Sequence, residues 1–287
     1  MRVSDKRNII RITLIITIIG LLILGFYYTN HWYQKDGGEI DEIIARTYGN
    51  ENSDIVVVYS QGGPSLDVEM EVLEELQESS GKIKDVYFVQ PHQIQTLQVE
   101  LFEASDITFE DAIKYDEKSV DYLAKVVKYY KNKGKEVYVV GISFGAFVTQ
   151  KLIADYGVEI ADGFAIMVGR LNIEEKFWTG FSQGKCGYYI NGVEPILEET
   201  DELVDSNTYK LAAGIGYIRF MTQLDGMNLN KVTYSYGKLD EAVGRLSDAE
   251  LKFLTDHGAK IFPNEGGHGD ASTDETDKMI EYLLNVK

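Results

Sequence analysis

The pattern of apolar and polar positions along the chain predicts strands and helices in alternation. Near-continuous apolar runs rich in β-branched and aromatic residues are typical of strands buried on both faces of a sheet. Such runs occur at residues 54–60, 85–89, the start of 136–154, 162–168, 231–236 and 259–262. Between them, apolar residues recur at the helical period, as in residues 66–80, 109–133 and 273–286. This order predicts an α/β fold with a mostly parallel sheet and helices on both faces.

Two stretches depart from this alternation. Residues 171–230 contain scattered aromatic residues, several glycines and one helical pattern at about 208–221, so we interpret them as a small insertion over the sheet. Residues 34–53 are polar and contain a Gly-Gly pair, which favours a linker with a short helix near residues 40–46. The predicted α/β domain therefore spans residues 54–287.

The first 33 residues are predicted to form a cytoplasmic tip and a transmembrane anchor. Residues 12–28 carry no charged side chain. Extending the segment back to Ile9 adds a single charged residue, Arg11, whose side chain can snorkel to the interface. Basic residues precede the segment, so the positive-inside rule places the N-terminus in the cytoplasm and the domain outside it. A cleaved signal peptide is the alternative. No small-x-small cleavage site precedes the bulky sequence FYYTNHWY, which favours the uncleaved anchor.

Composition narrows the function classes. The chain has 28 basic and 46 acidic residues, a formal net charge of −18, and no basic patch, which argues against a nucleic-acid partner. Its single cysteine, Cys186, cannot form an intrachain disulfide and makes a cysteine-based zinc site implausible. No motif for a cofactor or a metal stands out, so we expect neither.

A Gly-Ile-Ser-Phe-Gly sequence at residues 141–145 lies between a predicted strand and a predicted helix. In that context a G-x-S-x-G sequence forms a sharp turn that exposes the serine, and the flanking glycines avoid collisions with the neighbouring strand and helix. A second match at residues 180–184 lies between a poor strand and a poor helix. The context therefore favours Ser143 over Ser182 as a nucleophile.

A serine nucleophile requires a base, and the base requires an acid that orients it. The chain offers four histidines: His31, His92, His257 and His268. The last of these lies in a glycine-rich stretch after the final predicted strand, so we predict that it is the base.

The predicted acid is Asp240, four residues after the strand at 231–236, because open α/β sheets build their sites at the carboxyl ends of strands. Glu241 and Asp225 are the alternatives in the same region. The oxyanion of an acyl-transfer reaction needs two N–H donors. We predict that these come from Phe144, directly after the serine, and from Gly63, in the Gly-Gly-Pro loop after the first strand.

The order Ser143, Asp240, His268, together with the G-x-S-x-G sequence and the upstream Gly-Gly-Pro loop, resembles the α/β-hydrolase superfamily over residues 54–287. The resemblance implies an α/β-hydrolase-type sheet shortened at its start, with residues 171–230 as a cap over the pocket. Gln61 stands where the similar His-Gly-x-Pro oxyanion loop has histidine. A serine at the turn argues against the dehalogenase and epoxide-hydrolase members, which use aspartate there.

These features together predict a membrane-anchored serine hydrolase that cleaves a small-molecule carboxylic ester through an acyl-enzyme. Aromatic residues of the insertion suggest an apolar acyl or aryl group: Phe177, Trp178, Phe181, Tyr188, Tyr189, Tyr217 and Phe220. A peptidase or a thioesterase would use the same triad. A non-catalytic cell-envelope interaction protein on a hydrolase scaffold is the alternative from a different class, and the sequence leaves the oligomeric state open.

Overall fold

The computed structural model of the protein describes residues 38–80 and 85–285. The chain divides into two compact units, one ending at Glu42 and one beginning at Ile43. In the first unit residues 38–42 are helical, and the predicted transmembrane segment lies outside the described residues. Within the described ranges, no helix has the length and apolar character needed to span a bilayer.

In the described part of the second unit, seven strands form one sheet in the order β1-β3-β2-β4-β5-β8-β9. All neighbouring pairs are parallel except the edge strand β1, which is antiparallel to β3. The remaining two strands, β6 and β7, pair as a separate antiparallel hairpin. The strands are β1 Ile44–Gly49, β2 Ile55–Ser60, β3 Tyr87–Pro91, β4 Glu136–Ile142, β5 Gly163–Met167, β6 Cys186–Ile190, β7 Glu194–Glu198, β8 Val232–Gly237 and β9 Lys260–Asn264.

The helices follow the predicted order with shifted bounds. They are α1 Val72–Ser80, α2 Ile94–Leu97, α3 Glu100–Ala104, α4 Phe109–Asn132, α5 Phe144–Tyr156, α6 Glu175–Ser182, α7 Leu203–Gly216, α8 Phe220–Gln223, α9 Asp248–Asp256, α10 His268–Asp274 and α11 Thr276–Asn285, with a 3₁₀ turn at Val158–Ile160. The predicted helix at 66–80 begins only at Val72, and the predicted terminal helix is preceded by the separate short helix α10. The six predicted strands correspond to β2, β3, β4, β5, β8 and β9.

The predicted linker at residues 34–53 is wrong from Ile44 onward, because residues 44–49 form strand β1 and pair with β3. The helical pattern expected at 40–46 therefore ends at residue 43. This strand is only partly buried and reads IARTYG, so it shows neither apolar alternation nor an apolar run. Its stability as a strand depends on main-chain hydrogen bonds to β3, which side-chain patterning does not reveal.

The central strands are buried on both faces, as their apolar sequences predict. One layer of the core joins alternate residues of β2, β4 and β5 to helices α1 and α11, and it includes Val57, Val140, Met167, Leu73 and Met279. Helices α4 and α5 pack against the same strands from the other side. This three-layer arrangement leaves the carboxyl ends of the parallel strands free of core packing, and the candidate site forms there.

Candidate active site

The turn between β4 and α5 has the conformation that the G-x-S-x-G context predicts. Ser143 has φ 54° and ψ −116°, a strained main-chain conformation for a residue with a side chain. A Cβ at Gly145 would collide with the main-chain oxygens of Ser60 and Gln61, at the end of β2. A Cβ at Gly141 would collide with the carbonyl oxygen of Gly145 itself. Both glycines are therefore required for the close packing of this turn.

Ser182, in the second G-x-S-x-G match, has a different environment. It is the last residue of α6, and its hydroxyl donates to the carbonyl oxygen of Thr179, 2.8 Å away. This is an ordinary helix-terminal serine, without the strand-to-helix turn that surrounds Ser143.

Asp240 and His268 contact each other directly. The distance from Asp240 Oδ2 to His268 Nδ1 is 2.7 Å, and the aspartate is almost completely buried while the imidazole is partly exposed. The other carboxylate oxygen accepts hydrogen bonds from the main-chain N–H groups of Ala242 and Val243, both at 2.9 Å. These bonds hold the carboxylate in one orientation, toward the ring.

Main-chain packing brings these two residues together across 28 positions of sequence. Gly237, at the end of β8, lies so close to the loop after β9 that a Cβ there would be 2.5 Å from the carbonyl oxygen of Gly267. Leu239 N donates to the carbonyl oxygen of Gly266 at 3.0 Å. His268 is the first residue of α10 rather than a loop residue, and its main-chain N donates to Glu241 Oε2 at 3.1 Å.

The two alternatives for the acid occupy other positions. Glu241 contacts the main chain of His268, as above, and Asp225 lies 3.6 Å from Nε2 of a different histidine, His257. The ring of His257 also contacts the carbonyl oxygen of Phe253 through Nδ1. The ring of His92 contacts the hydroxyl of Thr96, and burial lowers the pKa of His92. Among the described carboxylates that the sequence suggested, only Asp240 contacts the His268 ring.

The Gly-Gly-Pro loop after β2 lies next to the serine. A Cβ at Gly62 would be 3.6 Å from Ser143 Cβ, and Gly63 has a φ of 109°, where a side chain would collide with the main-chain N of Ser65. This approach places a loop of bare main chain beside the candidate nucleophile. The arrangement suits N–H groups that stabilise an oxyanion.

Gln61 fixes this loop from inside the protein. Its side-chain Nε2 donates to the carbonyl oxygen of Asp67 at 2.9 Å, and its Oε1 accepts from Gln90 Nε2 at 2.6 Å. Gln93 Nε2 donates to the carbonyl oxygen of Gln61 at 2.9 Å. In the sequence Gln61 is recognisable only as a departure from histidine, and this buried network was not predicted. The cluster of glutamines directly after a buried strand was the available signal.

A cavity of about 290 Å³ adjoins the turn. Ser143, Phe144 and Gly63, the predicted nucleophile and the two predicted oxyanion donors, all line it. Further lining residues come from the inserted segment and from the turn after Asp240: Ile173, Phe177, Trp178, Phe181, Gly187, Thr208, Tyr209, Ala212, Gly216, Ala242 and Val243, with Pro64 and Phe147 completing the wall. The inserted segment thus covers the site.

Only part of the predicted aromatic set lines this cavity. Phe177, Trp178 and Phe181 do so, whereas Tyr188 is exposed and Tyr189 is buried against Glu174. The Tyr217 ring packs on Trp178, and the Phe220 ring packs on Phe147. Tyr209, on α7, lines the cavity but was not predicted.

The cap is tied to the turn that carries Asp240. Tyr189 N, on β6, donates to the carbonyl oxygen of Glu241 at 2.7 Å. Arg245 N donates to the carbonyl oxygen of Gly192, at the hairpin turn, at 2.8 Å. The hairpin β6–β7 is therefore bonded to the acid-bearing segment through the main chain as well as packed over the pocket.

Comparison with known proteins supports the fold. No family model matches the chain, and no curated protein matches it by sequence. Solved structures do match: MGS-M2, an α/β hydrolase enzyme from a Medee basin deep-sea metagenome library, is 12% identical with a TM-score of 0.55, over 84% of this chain and 94% of that one.

Two further solved structures are similar. One belongs to the metagenome-derived lipolytic enzymes LipS and LipT (12% identity, TM-score 0.54, 84% of this chain and 96% of that one). The other is a lipase-esterase related protein from Clostridium acetobutylicum (12% identity, TM-score 0.53, 85% and 99%). At these identities the likeness concerns the fold alone. The chain has the α/β-hydrolase fold, with a mostly parallel sheet and helices on both faces.

Proposed function

We propose that the protein is a serine hydrolase that cleaves a carboxylic ester through an acyl-enzyme. The observation that carries this proposal is the position of Ser143, on a strained turn at the wall of the cavity, at the same edge of the sheet as the Asp240–His268 pair. The solved structures with this fold include lipolytic enzymes, which is consistent with the proposal.

In the proposed reaction, Asp240 accepts the Nδ1–H hydrogen bond of His268 and leaves Nε2 to take the proton of Ser143 Oγ. The serine oxygen bonds to the ester carbonyl carbon, and the carbonyl oxygen becomes an oxyanion bound by the N–H groups of Phe144 and Gly63. His268 then gives this proton to the leaving alcohol oxygen as the ester C–O bond breaks, and the acyl group stays on Ser143. In the second step the same ring takes a proton from a water molecule, whose oxygen bonds to the acyl carbon. The bond between that carbon and Ser143 Oγ breaks, the acid leaves, and His268 returns the proton to Oγ.

The experiment is replacement of Ser143 with alanine. We expect Ser143→Ala to lose p-nitrophenyl ester hydrolysis by a factor of about 10³ or more and to resist labelling by a fluorophosphonate, since the nucleophile is gone. Ser182→Ala, which changes the second G-x-S-x-G match, is the matched control and should retain both activities. Wild-type rates in Ser143→Ala would refute the proposal.

The substrate bond is tested with the same acyl group in three forms. Parallel assays of an ester, an anilide and a thioester assign the activity to esterase, peptidase or thioesterase chemistry. A folded protein that hydrolyses none of them and is not labelled at Ser143 would favour the non-catalytic interaction protein instead.

We also propose that residues 12–28 anchor the domain in a membrane, on the basis of the uncharged sequence and the preceding basic residues. Membranes from cells that express the full chain should retain the protein after an alkaline wash, and protease added to the extracytoplasmic side should digest the domain. A mature protein that begins after Tyr28 and is washed off would refute the anchor.

A further inference from the structure

The cavity beside Ser143 is small. A volume of about 290 Å³ is at the lower end of ligand pockets. It is also partly open to solvent, so its walls surround only the part of a substrate nearest the reacting carbonyl, and the rest of a long chain would extend beyond them.

The walls of the cavity resist expansion because the rings that form them pack on one another, and one of them also packs on a ring outside the cavity. The Phe177 ring lies 4.4 Å from the Phe181 ring, which in turn lies 5.0 Å from the Tyr209 ring. Trp178 stacks on Phe109 of α4, with the ring centroids 5.9 Å apart. Enlarging the cavity would break these ring contacts, which stabilise the walls beyond the area that they bury.

The walls also carry no formal charge: none of the described residues that line the cavity is Asp, Glu, Lys, Arg or His. An ionised group placed against these walls would lose part of its hydration without gaining an ion pair, which is unfavourable. Burial raises the pKa of Tyr209, so that phenol also stays neutral. The net charge of −18 further disfavours the approach of anions.

The open space exists because one face of α7 carries small side chains. Thr208, Ala212 and Gly216 follow each other at helical spacing and all line the cavity. A Cβ at Gly216 would meet nothing closer than Ile173 Cγ1, at 3.8 Å. Side chains added on this face would therefore occupy cavity space and would not collide with the main chain.

We propose that the substrate is an uncharged ester whose group held in the cavity, on the acyl or the alcohol side, is short, and that Ala212 and Gly216 set this limit. The inference rests on the proposed function, because it assigns the cavity to the group attached to the reacting carbonyl. It excludes long-chain fatty esters and esters of dicarboxylic or amino acids as good substrates.

The test measures kcat/KM in two series. One contains p-nitrophenyl esters of straight acyl chains from two to sixteen carbons, and the other contains acetates of alcohols of the same lengths. We expect one series to rise to an optimum and then fall by at least about tenfold once the group exceeds the cavity, since one ill-fitting methylene can cost 10-fold or more. An ester with a terminal carboxylate should react far more slowly than its methyl-ended counterpart.

Variants of α7 then assign the limit to the cavity wall. Ala212→Leu adds three carbons, so its optimum should move to a group about three atoms shorter. Ala212→Gly should extend the optimum. Asp205→Leu adds the same side chain on an exposed part of α7 and is the matched control, with the wild-type profile expected. If Ala212→Leu does not fold, Gly216→Ala, which also favours the helix, makes the same test with a smaller addition.

The outcomes separate the two proposals. Hydrolysis that is equally fast for all lengths in both series, or an Ala212→Leu profile identical to that of the wild type, would overturn the size limit and leave the serine hydrolase intact. No hydrolysis of any ester and no labelling of Ser143 would overturn the proposed function, and the substrate inference with it.

Discussion

Replacing Asp240 with asparagine tests the candidate acid with little change in shape. One oxygen of the Asp240 carboxylate lies 2.7 Å from His268 Nδ1, and the other accepts from the N–H groups of Ala242 and Val243. The asparagine oxygen can keep the two main-chain bonds. Its NH₂ group then faces the ring, so the imidazole must carry its proton on Nε2 to avoid two opposed donors. A ring in that tautomer cannot accept a proton from Ser143.

The expected loss follows from that change of tautomer. In a Ser-His-Asp triad the same substitution lowers kcat by about 10⁴, which corresponds to about 5.5 kcal/mol of transition-state stabilisation. We expect Asp240→Asn to lower kcat for a p-nitrophenyl ester by about 10³–10⁴, with a small change in KM. Fluorophosphonate labelling of Ser143 should slow by a similar factor, because it needs the same base.

Asp225→Asn is the matched control, since it removes a carboxylate from the segment that precedes the same strand, where Asp225 lies near His257 instead. It should keep the wild-type rate. Urea unfolding of both variants shows whether either has lost stability. The assignment of Asp240 fails if a folded Asp240→Asn retains more than about one tenth of wild-type kcat, because a loss that small is far from the factor of about 10⁴ expected for a triad acid.

Two further predictions concern stability. Gly145→Ala should destabilise the fold by at least about 1–3 kcal/mol, because the added Cβ would collide with the main-chain oxygens of Ser60 and Gln61. Gly269→Ala is the control, since its Cβ would enter open space and the substitution should be neutral or slightly stabilising. Equal urea midpoints for the two variants would contradict this prediction. Asp116→Asn should be more stable than wild type at pH 7. Burial, with a smaller contribution from Glu117, raises the pKa of the Asp116 carboxyl, which has no hydrogen-bond partner among the described residues. Because the pKa of Asp116 is higher in the folded state than in the unfolded state, the stability of the wild type falls as the pH rises from the unfolded-state pKa to the folded-state pKa, by up to about 1.4 kcal/mol per pH unit. The stability advantage of Asp116→Asn should therefore shrink as the pH falls toward 4. A difference independent of pH would contradict that reading.

The sequence predicted those features of the structure that depend on the residues of one continuous segment. The apolar runs of β2, β4 and β5 predict buried strands because each of these strands is covered on both faces. Ser143 was distinguishable from Ser182 for the same reason: a strand, a turn and a helix are consecutive, and their patterns can be read directly.

Features that depend on a distant partner were not accessible in this way. Strand β1 has no distinctive apolar pattern, because it is stabilised by main-chain hydrogen bonds to β3 and not by the burial of apolar side chains. Gln61 looked like a loss of histidine. Its hydrogen bonds to Gln90 and Gln93, about thirty residues away, show instead that it fixes the loop after β2.

Periodicity, glycine placement and strand ends are enough to predict the α/β architecture, the sharp turn at Ser143 and the candidates Asp240 and His268 from the amino-acid sequence. Which carboxylate contacts the His268 ring depends on tertiary packing, because Gly237 and Gly267 pack together across two strand ends. The cavity volume depends on tertiary packing as well. That volume is the space left between α7 and the aromatic rings of α6, and it depends on how the helices pack rather than on any one segment.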